Sequence, residues 1–239
     1  MPHIKIKHDD IITTETWLEI LDLALKLDFS QSWKVPPIQS WFACVLAFDW
    51  MFGKRINEIL TLKRKHITKE KGLVKVLFYV GKKKTKTASI EFLPFQKAKT
   101  SKHKAYPYIR SYLQEFDKQG GTPEDYIFFA ATNPRTRKVN TTFTNGKGET
   151  ETRNYTYTDN GGHIYEENCR YYLNKINEQL PEGKRIYFHY GRHTIGIKMA
   201  RQGRSVWEIA DVLDDSERAA IAYTKKAGGY SQRWTRETE

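Results

Sequence analysis

The segment His189-Tyr190-Gly191-Arg192-His193-Thr194 sets an imidazole and a guanidinium three residues apart, and a second guanidinium, Arg55, stands far upstream in Gly53-Lys54-Arg55-Ile56-Asn57-Glu58. A phosphodiester under attack gathers negative charge on its non-bridging oxygens, and planar guanidinium forks grip such oxygens bidentately without losing their protons. On a helix, His189 and Arg192 would stand at i and i+3 and project from one face toward the same phosphate. Downstream, Ile221-Ala222-Tyr223-Thr224 offers a phenol. Its ordinary pKa near ~10 makes it a poor nucleophile at neutral pH unless a base or a strong positive field assists. Between the two arginines, Lys82, Lys83, Lys84 and Lys86 crowd one short stretch. Taken singly, each arginine is more commonly a surface or salt-bridge residue, a helical tyrosine more commonly packs in a core or interface, and a lysine cluster is commonly just solvated. The ordered set is what carries meaning.

Four stretches, in this order, resemble the tyrosine recombinase family of the phage-integrase class. The first is Gly53-Lys54-Arg55-Ile56-Asn57-Glu58-Ile59-Leu60, where the family commonly reads G-L-R-I-S-E-L. The second is a lysine-tipped hairpin. The third and most specific is His189-Tyr190-Gly191-Arg192-His193-Thr194, against the family's H-x-L-R-H-T, and the fourth is Ile221-Ala222-Tyr223-Thr224. The spacing from Arg192 to Tyr223 also fits, and the resemblance runs from about Thr14 to Lys226. It implies that Arg55 and Arg192 clamp the scissile phosphate and that Tyr223 attacks phosphorus, leaving a 3′-phosphotyrosyl enzyme and a free 5′-hydroxyl. His189 is the candidate base. A hairpin lysine is the candidate acid for the departing oxygen, chemistry that needs neither ATP, metal nor cofactor.

Counting back from Pro94, which closes the second strand, selects Lys86, and Lys86-Thr87 resembles the family's K-T form; Lys84 is the second choice. His193 is expected to support the site by packing or hydrogen bonding, and Glu58 to be a local structural partner of Arg55. Where the family usually has L-G-H-S, this chain reads Leu213-Asp214-Asp215-Ser216. A carboxylate at Asp215 would repel a phosphate unless it were protonated, paired with a cation or turned outward. Arg218 is close enough in sequence to neutralise it or to contribute to the site.

These groups need a frame to hold them. Trp17, Ile20, Leu21, Ala24 and Leu27 recur at helical spacing over about 14–27, and Ile38, Trp41, Phe42, Val45 and Leu46 repeat the period after Pro36-Pro37, with Pro37 suited to a first turn. A short helix is expected over 54–62. Leu73 to Val80 and Thr87 to Leu93 read as the arms of a basic-tipped β-hairpin. Pro107 opens a helix with Ile109, Tyr112, Leu113 and Phe116 on one side, and Tyr126 to Ala130 reads as a short strand. The polar stretch 133–163, with turn dipeptides Asn145-Gly146 and Asn160-Gly161, reads as a surface β-hairpin insertion. The last third is helical: about 165–180, 189–203 with Gly203 as its cap, a short helix behind a Ser205/Glu208 capping box, and one capped by Ser216 that carries Tyr223. Trp17, Trp41 and Trp207 are expected to anchor the core. The fold class that the resemblance implies is mainly α with a small antiparallel β-sheet (α+β), in a single catalytic domain over 1–239, and these elements agree with it. The separate four-helix DNA clamp typical of the family is not expected within the short stretch before Trp17.

The 40 Lys+Arg against 28 Asp+Glu give a net charge of +12, which favours a polyanionic partner. Double-stranded DNA is the expected one, with self-association to a tetramer on DNA and a monomer otherwise. Cys44 and Cys169 sit in no metal-binding spacing and make no disulfide framework. The sequence shows neither a membrane span nor a signal pattern, so an intracellular, reducing location is expected, in the host of a virus, plasmid or other mobile element. The leading reading is a site-specific DNA recombinase (integrase). Its rivals are a type IB topoisomerase, which generally places lysine where His189 stands, and a non-catalytic DNA-binding member of the family.

Overall fold

The computed structural model describes residues 12–29, 35–70, 73–80, 87–94, 104–130, 135–144, 150–159, 162–181 and 185–228. Among these described residues eight α-helices are seen: α1 (Thr14–Leu25), α2 (Trp41–Phe52), α3 (Ile56–Leu60), α4 (Tyr106–Lys118), α5 (Glu166–Gln179), α6 (Tyr190–Arg201), α7 (Val206–Val212) and α8 (Glu217–Lys226). Five strands accompany them: β1 (Ile67–Glu70), β2 (Leu73–Val80), β3 (Thr87–Pro94), β4 (Arg135–Thr144) and β5 (Thr150–Asp159). The fold is mostly helical with small antiparallel sheets, as expected. Among the described residues no helix is long and apolar enough to cross a membrane.

The centre of the molecule is α2, whose sequence WFACVLAFDWMF is apolar all round but for Asp49 and buried at every position. A helix without a polar face must be wrapped by others. Trp17 of α1 stacks on Trp50 of α2 at 5.0 Å, and Tyr172 of α5 meets Trp41 edge-on at 5.5 Å. Phe48 meets Phe78 of β2 and Phe128 near 90°. Fully burying each such phenylalanine contributes about 1.5–3 kcal/mol. Trp17 and Trp41 are core anchors as expected, but Trp207 is 69% exposed on α7. The period that placed it on a helix did not tell which face of that helix would be covered.

Strands β2 and β3 pair antiparallel from Leu73↔Pro94 to Val80↔Thr87, with β1 added along the free edge of β2. Strands β4 and β5 form a separate two-stranded sheet, Arg135↔Asp159 to Thr144↔Thr150, where the hairpin insertion was expected. Residues 126–130 do not form a strand. They make single bridges, Lys63↔Tyr126 and Phe129↔His163, and so tie the loop before α5 to the end of α3. Helix α2 starts at Trp41 behind Ser40, so Pro37 precedes the helix instead of opening it.

The C-terminal helices keep to their local signals. Gly203 at φ 76° donates to the Ala200 carbonyl and Arg204 to that of Met199, the two bonds of a Schellman end for α6. Ser205 and Glu208 cap α7 reciprocally at 3.2 and 2.8 Å, and the Ser216 hydroxyl accepts from the Ala219 amide at the start of α8. Helices α6, α7 and α8 enclose a second, smaller core of Ile195, Ile197, Ile209, Ala210, Leu213, Ala220 and Tyr223.

Candidate active site

Gly53 ends α2 in the left-handed region (φ 61°) and donates to the Asp49 carbonyl at 2.8 Å. A Cβ there would stand 2.8 Å from Ile195 Cδ1 and 3.1 Å from Arg192 Cα, so glycine serves both the turn and the close passage of α6. Arg55 is the N-cap of α3. The Glu58 carboxylate reaches back to accept from the Arg55 amide at 3.0 Å and from its guanidinium at 2.9 Å. Glu58 is thus the local partner the sequence suggested, and it fixes the near side of the guanidinium.

Helix α6 begins hard against α2. A Cβ on Gly191 would lie 2.3 Å from the Asp49 carbonyl oxygen, so only glycine lets the two backbones approach, and the Gly191 amide donates to Asp49 Oδ2 at 3.2 Å. The helix N-terminus favours the ionised Asp49 carboxyl, but its burial outweighs that. Arg192, one residue on, is 3% exposed and donates to the Gly53 carbonyl at 2.9 Å and to the Leu213 carbonyl. His189 does not lie on the helix with Arg192, contrary to the i, i+3 expectation. It caps α6 with φ 86°, an uncommon backbone conformation for a side chain with a Cβ. The imidazole and the guanidinium both line the same cleft, brought there by a turn and not by a shared helical face.

The α7–α8 turn closes the cleft. Asp214 takes φ 48°, the left-handed conformation, at the position where the resemblance places glycine; aspartate is among the residues that tolerate it. Its carboxylate accepts from the buried Lys54 ammonium at 2.7 Å, which also donates to the Val212 carbonyl at 3.2 Å. Asp215 then bridges the two arginines: Arg55 Nη2 donates to Oδ1 at 3.2 Å and Arg192 Nη2 to Oδ2 at 2.9 Å. Tyr223, two turns into α8, is 5% exposed and lies over Gly196 of α6, where a Cβ would meet its ring at 2.7 Å. Arg55, Glu58, Glu166, His189, Arg192, His193, Asp215, Tyr223 and Lys226 are among the residues lining one cleft of about 810 Å³.

The sequence matches the phage integrase family over residues 26–227. The chain belongs to that family. Its fold is similar to that of the XerH site-specific recombinase bound to difH substrate in a pre-cleavage complex, at 17% identity and TM-score 0.51, covering 88% of this chain and 48% of that one. The XerH post-cleavage complex with palindromic difH gives 17% identity, TM-score 0.53, 94% and 50%. The XerA recombinase gives 13% identity, TM-score 0.56, 100% and 67%. The chain thus spans about half the length of XerH. A comparison with curated proteins found no match.

In this phage integrase-family cleft the titratable groups are tuned by burial and by the arginines. Burial, then Arg192 and Arg55, lower the His189 pKa, so its ring is neutral near pH 7 and can accept a proton. Burial and the neighbouring His189 depress His193 to about 4. Its ring packs 5.6 Å from that of Tyr223, and its Nδ1 has no hydrogen-bond partner among the described residues. Burial raises the Tyr223 phenol, with Arg192 pulling the other way. The Asp215 carboxyl is lowered by its hydrogen bond and attraction to Arg192 and by Arg55, which together outweigh its burial.

Of the residues singled out in the sequence, Arg55, His189, Arg192, His193, Asp215 and Tyr223 come together. Lys86 and Lys84 lie outside the described residues. Arg218 is exposed and does not line the cleft; the cations that meet Asp215 are Arg55 and Arg192. Sequence reasoning missed Lys54, Asp49 and Glu166. For Lys54 a signal existed: a lysine where the family commonly has leucine marks a position that is buried, and a buried ammonium needs an acid partner. Asp49, alone among apolar residues in α2, was a signal of the same kind. Glu166 had none. Among the described residues no group of three or more His, Cys, Asp or Glu could hold a metal ion.

Proposed function

We propose that this chain is the strand-cleaving domain of a site-specific DNA recombinase. The observation that carries the reading is that Arg55 and Arg192, distant in sequence, meet on one carboxylate in a cleft shared with His189 and Tyr223. Two guanidiniums holding two oxygens of one anion is the geometry a phosphodiester needs. The Tyr223 oxygen attacks phosphorus, the new bond forms as the bond to the 5′-oxygen breaks, and His189, neutral near pH 7, takes the phenolic proton. Lys86 protonates the departing 5′-oxygen. The 3′-phosphotyrosine keeps the bond energy, so rejoining reverses the same steps. The net charge of +12 supports a DNA partner, and the active species is a tetramer on duplex DNA.

The test is a nicked duplex that traps the cleaved strand, followed by a denaturing gel. A covalent adduct is expected with the wild-type chain and not with Tyr223→Phe. An adduct that persists in the variant removes Tyr223 from the role. Asp215 in the anion position favours one second reading, a family member that binds DNA without cutting it. DNA retention with no adduct on any trapping substrate supports that reading.

A further inference from the structure

We propose that Asp215 is a resident occupant of the phosphate clamp: its carboxylate holds Arg55 and Arg192 in register while the cleft is empty, and an incoming phosphate must displace it. The proposal rests on the function above only in taking the displacing anion to be a DNA phosphate. Asp215 acts through the arginines and is therefore a positioning residue.

The hydrogen bonds divide into a fixed set and an exchangeable one. Arg192 is anchored from behind by the Gly53 and Leu213 carbonyls, and Arg55 by Glu58 and the Asp214 carbonyl. What each guanidinium turns toward the other is an Nη2, and both Nη2 groups end on Asp215, one on each carboxylate oxygen. A phosphodiester presents the same thing: two oxygens sharing one negative charge. Charge balance argues for exchange over addition. Arg55, Arg192 and Lys226 bring three positive charges to the cleft, and Glu58, Glu166 and Asp215 already bring three negative ones. A phosphate added beside Asp215 would leave the cleft with an excess anion in a poorly hydrated place, whereas one that takes Asp215's position leaves it neutral.

The backbone allows the exchange without unfolding the turn. Asp214 is pinned to Lys54 and Leu213 is buried, so the turn stays docked. Asp215 itself is partly exposed, its side chain 21% accessible, and can swing toward solvent. Ser216, the N-cap of α8, follows directly, and its amide donates to Asp215 Oδ1 at 3.1 Å. Release of Asp215 therefore removes a tie between the clamp and the helix that carries Tyr223, so that filling the clamp and loosening the nucleophile's helix become one event.

Inorganic phosphate is the probe. Titrated calorimetrically into the full chain, it is expected to bind Asp215→Asn on the order of tenfold more tightly than wild type, because the variant replaces a charge-assisted competitor by a neutral one. Hydrogen exchange over 217–226 is expected to speed up in wild type on adding phosphate and to be fast in the variant without it. Equal or weaker phosphate binding by Asp215→Asn overturns the proposal. Should that variant fold poorly, the wild-type chain with carbon-13-labelled aspartate carboxyls decides: the Asp215 resonance shifts as phosphate saturates the site, and an unmoved resonance overturns the proposal. The adduct assay separates this inference from the functional reading. Tighter phosphate binding with no adduct from any variant sinks the recombinase and keeps the clamp occupant; an adduct with unchanged phosphate affinity does the reverse.

Discussion

Arg55 and the first turn of α6 rest on the large core around α2, where backbone approaches leave no room for a Cβ at Gly191 and little at Gly53. Tyr223 and α8 rest on the smaller core shared by α6, α7 and α8. The first region is fixed by packing. The second is joined to it at the cleft by polar ties, Lys54–Asp214 and the two arginines on Asp215, beside the close passage of Ile195 and Leu213 at Gly53. A part that grips a substrate gains from rigidity, and a part that delivers a nucleophile gains from a junction that can yield. Under the proposed function, the division of the molecule into apolar and polar attachments matches that difference in task.

Breaking the polar junction is expected to have the largest effect. Lys54→Met removes the buried ammonium, leaves the part-buried Asp214 carboxylate facing an uncharged partner and should cost about 3–5 kcal/mol. Chemical denaturation measures the loss, and hydrogen exchange should show faster opening over 206–226 than in α1 or α2. Adding Asp214→Asn should recover part of it, since asparagine also tolerates the left-handed turn. Equal opening of both regions contradicts the comparison.

The packed region carries its own titration. Burial raises the Asp49 carboxyl from 3.8 to about 7. The folded chain therefore holds a proton that the unfolded chain has lost, and stability falls as pH rises from the unfolded value toward the folded one. Asp49→Asn removes this dependence. The stability of the variant relative to wild type should climb across pH 4 to 7, by up to about 4 kcal/mol. Unfolding of both proteins at a series of pH values checks it. The depressed histidines His66 and His193 titrate alike in both and drop out of the difference.

Gly196→Ala places a methyl where the Tyr223 ring lies, 2.7 Å away, and should cost about 1–3 kcal/mol through overpacking. Because the obstacle is a side chain on the less strongly held helix, Tyr223 should move and the large core should not, which the tyrosine ring resonance would report. The smallest effect is expected at Trp207, exposed on α7. Trp207→Ser should change stability by no more than about 0.5 kcal/mol. A larger loss in thermal unfolding would mean that α7 is held by its outer face as well.

Much of the frame was legible along the chain. The apolar period of α1, the apolar run of β2, the alternation of β3, the Ser205/Glu208 box and the Ser216 cap are local signals, settled by steric and hydrogen-bonding preferences within a few residues. Strand β1, only four residues of ITKE, was not legible, because it is a strand by virtue of its pairing with β2. Nor was the loss of 126–130 as a strand, whose backbone groups bond instead to Leu62 and Ile164. The burial of one tryptophan and the exposure of another could not be told apart from the same helical spacing.

The sequence by itself determined which groups are available: two guanidiniums, two imidazoles, a phenol and an uncommon aspartate, with the caps and glycines that end and start the helices bearing them. Only the tertiary structure decided that Asp215 lies between Arg55 and Arg192, that Lys54 is buried on Asp214, and that His189 caps α6 in a left-handed turn. The reason is physical: most of these contacts join residues far apart in the chain, and their geometry is set by how closely α6 can approach α2, a property of packed backbones that local propensity does not encode.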